Sequence, residues 1–263
     1  MDEKFLREAD QQLTGLGGNP LARLQAALDK DELALFCQPI RALAGTQGYP
    51  MAEILVRMRE EESAFLPPGE FLPVYEHYRM MPQLDRWVVR STARRLAKGS
   101  KVPRFTINVS SQTLDDEDFS LYVSEQIETA RIPASSLLFE IDEPDALNNL
   151  RSATRFAGDM MAIGCGVLID GFGRKAASFA PLKALRIDFL KVDGSITRRV
   201  LVSDAAVSRL KAMVRVSEAS GIGLVAECVE EEDILLRVKA LGVGYAQGFG
   251  IHRPVPIDSV AAG

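Results

Sequence analysis

Polar side chains interrupt a series of short apolar runs in this chain, each near the end of its run. In order they are Gln38, Glu53 and Arg57, Asn108, Glu140 and Asp142, Asp170, Lys191 and Asp193, Glu227 and Glu230, and Gln247. A buried carboxylate is costly unless it is paired or binds a metal, so several of them converging on one mouth need a cation. Carboxylates and amides without clustered His or Cys select a hard ion such as Mg²⁺, Mn²⁺ or Ca²⁺ over zinc or copper. Arg57 and Lys191 add fixed cations, able to hold a phosphate or orient an attacking water. His77 and His252 stand outside the set. Cys37, Cys165 and Cys228 are far apart, show no CxxC spacing and read as core residues rather than disulfide or zinc partners.

Taken singly, Gln38, Asn108 and Gln247 read as strand-end hydrogen-bonding residues. Glu53, Glu140, Asp170 and Glu227 likewise read as ion-pair partners of Arg57 or Lys191, or as helix caps. It is the recurrence at matching positions that reads as a site. Charge runs elsewhere, Arg94-Arg95, Arg198-Arg199 and Glu230-Glu231-Glu232, read as solvated helix surface, with Glu230 the exception.

The elements that must position these residues alternate in type. Eight runs rich in Val, Ile, Leu and Phe read as strands: 33–40, 51–58, 104–110, 137–142, 166–172, 187–193, 223–229 and a weak last one near 246–250. Amphipathic stretches at 82–98, 118–131, 145–163, 203–220 and 232–241 read as helices, several opened by Asp or Ser. Repeated β-then-α units with no GxGxxG after the first strand predict a TIM-like (β/α)8 barrel rather than an open doubly wound sheet. The 41–50 loop is too short for a crossover helix, so the first strand pairs antiparallel with the second. Residues 59–73 then form a long irregular connection near the rim. Barrel sites assemble at the C-terminal ends of strands, where the polar residues fall.

The chain has 263 residues, 47% of them hydrophobic and 25% charged, which suits a packed globular core. A formal net charge of −5 argues against a nucleic-acid polymer as partner. The first residues lack the apolar core of a signal peptide, and no run reaches the ~18 apolar residues of a membrane span, so the expectation is a cytoplasmic protein without membrane contact. Residues 1–19, ending in a Gly/Asn cluster, read as a linker or N-terminal extension, and 20–263 as the domain.

At these residues the chain resembles the EAL family of cyclic di-GMP phosphodiesterases, from about Pro20 to Pro256. Glu53-Ile54-Leu55 matches the signature tripeptide with a conservative change in the middle, inside a Glu-x-Leu-x-Arg pattern completed by Arg57. Further matches are Gln38-Pro39-Ile40, Phe71-Leu72-Pro73, Leu84-Asp85-Arg86-Trp87-Val88, Asn108-Val109-Ser110, Phe139-Glu140-Ile141-Asp142-Glu143, Lys191-Val192-Asp193, Ala226-Glu227-Cys228-Val229-Glu230 and Gln247-Gly248-Phe249. The resemblance implies a barrel with an antiparallel first strand, two divalent ions (Mg²⁺ or Mn²⁺) at its rim, and hydrolysis of cyclic di-GMP to linear pGpG. It implies that Glu53, Asn108, Glu140 and Asp170 hold the first ion. Asp170, the residue at 171 and Glu227 would hold the second, with Lys191 helping to place the water. Arg57, Gln38, Leu55, Pro73, Asp193, Glu230 and Gln247 would embrace the nucleotide. By analogy with relatives, the barrels pair as a homodimer and follow a sensory or cyclase domain, or act on a protein effector.

One departure bears on activity. Where the family has Asp-Asp-Phe-Gly this chain has Asp170-Gly171-Phe172-Gly173, so the second ion loses a carboxylate, and a two-metal mechanism should suffer. Two cations, Arg174 and Lys175, follow directly. Either could reach a phosphate and replace the lost ion's charge, or could simply belong to a surface loop. The leading expectation is a receptor that binds cyclic di-GMP with hydrolysis weak or lost, in which Gly171→Asp raises turnover. The alternatives are a working phosphodiesterase and an interaction scaffold that binds neither nucleotide nor metal.

Overall fold

Strands whose both faces are covered need apolar residues at nearly every position, and the central strands of this chain have them. The computed structural model describes residues 19–30, 32–45, 48–59, 65–174 and 183–260. Its strands are β1 (Leu33–Ala42), β2 (Met51–Arg59), β3 (Phe65–Leu66), β4 (Phe105–Val109), β5 (Leu137–Asp142), β6 (Gly166–Phe172), β7 (Phe189–Val192), β8 (Gly223–Ala226), β9 (Tyr245–Ala246) and β10 (Val255–Pro256).

Strands β2, β4, β5, β6, β7, β8 and β9 lie side by side in parallel, and β1 closes the ring by pairing antiparallel with both β2 and β9. The expected eight-stranded barrel with an inverted first strand is therefore present. β1 and β2 run in register from Leu33 opposite Met58 to Ile40 opposite Met51, which sets Gln38 across from Glu53. β3 and β10 are two-residue additions outside the ring, paired to β2 and β1.

The barrel interior is filled in layers. Ile40, Met51, Leu138, Leu168, Phe189 and Val225 form one buried apolar cluster, with Tyr245 packed against it. Side chains two residues apart on a strand share a face, so the next inward layer toward the C-terminal mouth is already determined. It consists of Glu53, Asn108, Glu140, Asp170, Lys191, Glu227 and Gln247, with Gln38 contributed in the reverse direction by β1. An apolar floor thus carries a polar ring. The outward faces pack under the helices in the main core, with Ile54, Phe105, Phe139, Ile169, Leu190 and Ala226 buried there.

The helices are α1 (Pro20–Asp29), α2 (Pro68–His77), α3 (Met81–Leu96), α4 (Ser111–Leu114), α5 (Phe119–Ala130), α6 (Glu143–Asn148), α7 (Leu150–Ile163), α8 (Gly194–Thr197), α9 (Asp204–Ser220) and α10 (Glu232–Ala240). Two expectations are corrected. Residues 59–73 are not wholly irregular: β3 and the first half of α2 lie there, started by Pro68 at the first turn, where its missing N–H costs nothing. The single helix expected at 145–163 is two. Asn149 leaves helical geometry at φ −133°, ψ 58°, and its side chain accepts from Ser152 N to cap α7. Among the described residues, no helix is long and apolar enough to cross a membrane. The extension at 1–18 and Lys175 lie outside the described residues.

Candidate functional site

Lys191 stands at the centre of the polar ring. Its Nζ lies 2.8 Å from Glu140 Oε2, 2.9 Å from Glu53 Oε2, 3.2 Å from Glu227 Oε1 and 3.3 Å from Asp170 Oδ1. The side chain is only 1% exposed, so the ammonium is stabilised by its carboxylates rather than by water. Burial acts to lower its pKa, but Asp170, Glu140, Glu53 and Glu227 outweigh burial and hold it well above the ordinary lysine value. One positive charge cannot neutralise four negative ones. Burial and the neighbouring Glu53 raise the Glu140 carboxyl well above its usual range. Burial, with Asp170 and Glu53 close by, pushes Glu227 up to about 8. Asp170 moves the other way: burial opposes its ionisation, yet Lys191 and hydrogen bonds involving Glu227 and Gly171 hold it low.

Amides complete the ring. Asn108 Nδ2 donates to Glu53 Oε1 at 2.9 Å, and Gln247 Nε2 donates to Glu53 Oε2 at 2.6 Å and to Gln38 Oε1 at 3.1 Å. Gln38 Nε2 in turn donates to the His252 carbonyl at 3.0 Å. Gln247 depends on the glycine after it. A Cβ on Gly248, whose φ is +157°, would fall 2.2 Å from the Val229 carbonyl oxygen, so only glycine lets these two loops run together. Beside Glu227, Cys228 takes φ 55°, a left-handed turn rare for a non-glycine residue. Cys228 is half-buried, not part of the core as its sequence surroundings suggest; Cys37 and Cys165 are buried.

The donor chemistry fits a hard divalent ion. The oxygens of Glu53, Asn108, Glu140, Asp170 and Glu227 belong to one layer, and the buried Glu140 Oε1 has no hydrogen-bond partner. Lys191 stands among them, and no three of the described His, Cys, Asp or Glu side chains are preset around one point as a metal cage.

A second cation guards the rim. Arg174 Nε donates to Asp193 Oδ2 at 2.9 Å and Nη1 to Asp142 Oδ1 at 3.1 Å. Hydrogen bonds from Ser195 and Arg174 outweigh burial at Asp193 and hold its carboxyl low, whereas burial, with Asp170, Asp145 and Glu143 nearby, raises Asp142 to about 6 against the pull of Arg174. The guanidinium lies over Gly171. A Cβ built there would fall 2.6 Å from Nη2 and 2.9 Å from Cζ.

The other expected residues stand apart from the ring. Arg57 donates to the Val56 carbonyl and lies 5.8 Å over the Phe36 ring. Leu55 and Asn108 line a groove of about 310 Å³ with Leu72 and Met81. Pro73 lines an adjoining hollow of about 290 Å³ with Glu76, Gln112 and Asp145. Glu230 is half-exposed and faces Arg198 at 3.6 Å. Asp193 caps α8 through Ser195 N and otherwise holds Arg174.

The roles of three residues escaped sequence reasoning. Asp142 was visible as a strand-end carboxylate, but its role as the anchor of Arg174 was not. Asp85, 4% exposed, accepts from Ser110 N, Ser110 Oγ and Thr113 Oγ1, and so fixes the turn just after Asn108. Phe249, 53% exposed, carries the Arg253 guanidinium 4.8 Å over its ring, two residues past Gln247. An aromatic directly following Gln247-Gly248 was the signal available for it.

Known proteins resemble this chain in sequence and in fold. The family model described as EAL domain matches residues 21–254. Cyclic di-GMP phosphodiesterase PdeF of Escherichia coli is 34% identical over 238 residues, covering 89% of this chain and 32% of that protein. Cyclic di-GMP phosphodiesterase PdeB of Shewanella oneidensis is 30% identical over 257 residues, covering 96% of this chain and 30% of that protein. The chain thus spans about a third of the length of these curated relatives. The crystal structure of the FimX EAL domain from Pseudomonas aeruginosa bound to c-di-GMP superposes with a TM-score of 0.84 at 27% identity, covering 90% of this chain and 96% of that one.

Proposed function

This chain belongs to the EAL domain family, and from that premise we propose that it is a receptor for cyclic di-GMP whose phosphodiesterase activity is weak or lost. The observation that carries the binding half is the single ring formed by Glu53, Asn108, Glu140, Asp170 and Glu227 around Lys191 at the barrel mouth. The nucleotide half is supported by the similar FimX EAL domain, solved bound to c-di-GMP. The loss of hydrolysis is supported by Gly171, which offers no ligating side chain, and by Arg174 lying where a side chain there would go.

Glu53, Asn108, Glu140 and Asp170 would hold a divalent ion, Mg²⁺ or Mn²⁺, with Glu227 on the far side of Asp170. Such an ion polarises a phosphate and makes water more acidic. Lys191 keeps Glu53, Glu140, Asp170 and Glu227 converged in the absence of the ion. Glu227, whose proton is retained up to about pH 8, is placed to hold or pass a proton at its Oε atoms. Gln38 and Gln247 orient Glu53. Leu55, Pro73, Arg57, Asp193 and Glu230 would contact the bases, ribose and phosphate of the dinucleotide. A cytoplasmic location, a second copy of the barrel, and an upstream sensory or cyclase domain or a protein effector complete the reading.

A working phosphodiesterase is the second reading, favoured by relatives that carry that name and by an intact Lys191 and Glu227. Incubation with cyclic di-GMP in Mg²⁺ or Mn²⁺, followed by chromatography of the products, separates the two. The receptor reading expects intact cyclic nucleotide, and efficient multiple-turnover production of pGpG overturns it.

A further inference from the structure

The rim of the barrel holds an excess of carboxylates. Glu53, Glu140, Asp170 and Glu227 surround Lys191, and Asp142 and Asp193 flank Arg174. A phosphodiester entering such a mouth is repelled unless a cation faces it. Lys191, 1% exposed and enclosed by its carboxylates, cannot be that cation. Arg174 can: its side chain is 47% exposed, Nε and Nη1 are committed to Asp193 and Asp142, and Nη2 donates to none of the described residues. The two anchoring carboxylates fix the plane of the guanidinium and leave Nη2 over Gly171.

The vacancy at Gly171 and the place of Arg174 are one feature. Any Cβ at 171 would collide with Nη2 and Cζ, so the guanidinium can lie there only because residue 171 is glycine. The φ of +64° at Gly171 favours glycine as well. The geometry points to Arg174 as a phosphate-binding residue, a fixed guanidinium that takes the place of a second divalent ion, so that this site grips a nucleotide phosphodiester with one ion and one arginine. Guanidinium suits the task because it stays protonated and presents paired N–H groups to phosphate oxygens. This inference rests on the cyclic di-GMP reading and extends it to the means of binding.

The test is calorimetric titration of cyclic di-GMP into the full chain, in Mg²⁺ and separately in chelator, for wild type, Arg174→Ala and Arg174→Lys, with melting temperatures confirming that each variant is folded. We expect Arg174→Ala to weaken binding at least tenfold, with the larger effect in chelator, and Arg174→Lys to recover part of the loss. Unchanged affinity for Arg174→Ala, in whichever condition wild type binds, overturns the inference while leaving the receptor reading intact. If wild type binds in neither condition, the receptor reading falls, and this inference with it. As a second readout, Mn²⁺ titration followed by electron paramagnetic resonance should give one tightly bound ion per nucleotide-loaded wild-type chain. Two tight ions per chain overturn the inference.

Discussion

The guanidinium of Arg174 fills the space that a side chain on Gly171 would need, with Nη2 2.6 Å from the ideal Cβ position. A carboxylate restored at 171 must push this half-exposed side-chain end aside. Gly171→Asp alone meets both the collision and a left-handed backbone, which Asp tolerates better than most residues but not freely. We expect the single substitution to raise turnover only modestly and to lower the melting temperature. Gly171→Asp combined with Arg174→Ser should raise pGpG production at least tenfold, read by product chromatography in Mn²⁺. Equal activity of the single and double variants would show that Arg174 does not block the position.

Lys191 is a buried ammonium among four carboxylates. Removing one partner of a buried ion cluster costs about 3–5 kcal/mol, because the opposite charges stay behind without compensation. Lys191→Met should lose stability of that order in urea at neutral pH. The loss should shrink on adding Mg²⁺. A loss below about 1 kcal/mol would mean that the carboxylates are not held together by this residue.

Asp85 supplies a pH dependence away from the ring. Burial raises its carboxyl to about 6, against the pull of hydrogen bonds from Thr113 and Ser110. Because the folded pKa is raised, the native state binds this proton more tightly than the unfolded chain does. Its contribution is thus most favourable below the unfolded value, falls as pH rises from about 4 to 6, and is flat above that. The stability of wild type relative to Asp85→Asn should fall across that window by at most about 3 kcal/mol. Asp85→Ala, which orphans Ser110 N and Thr113 Oγ1, should cost about 1–3 kcal/mol at neutral pH. Urea denaturation at half-unit pH steps gives both, and a flat or rising difference would contradict the assignment.

Gly248→Ala would drive a methyl group into the Val229 backbone. Strain of this kind costs about 1–3 kcal/mol and should displace Gln247 from Glu53. The expected outcome is a lower melting temperature together with weaker nucleotide binding. Unchanged values of both would show that the two loops can separate freely.

Much of this was legible in the sequence, for reasons visible in particular residues. Met51 and Glu53, Leu138 and Glu140, Leu168 and Asp170, Phe189 and Lys191, and Val225 and Glu227 each repeat an apolar-then-polar step of two along a strand. That period is a property of extended backbone and survives without coordinates. Strands of two residues, such as Phe65–Leu66 and Val255–Pro256, offer no period and were missed. Helix α2 was hidden by Pro67, Pro68 and Pro73, which read as breakers although Pro68 in fact opens the helix. In the site, membership of the ring was readable but its centre was not. Nothing in the spacing says that Lys191 bridges Glu53, Glu140, Asp170 and Glu227 at once, since that depends on barrel closure. The position of Arg174 over Gly171 depends on the Asp142 and Asp193 anchors, which come from two different strands' ends, so adjacency in sequence suggested the neighbourhood but not the contact.

The central claim is that the ring at the barrel mouth is a cyclic dinucleotide site. Isothermal titration of cyclic di-GMP into the wild-type chain in Mg²⁺ measures it most directly. The account predicts saturable binding of one nucleotide per chain, abolished in Glu53→Ala at temperatures where a cooperative melting transition shows that variant to be folded. No binding heat from folded wild-type protein at any accessible concentration would contradict it.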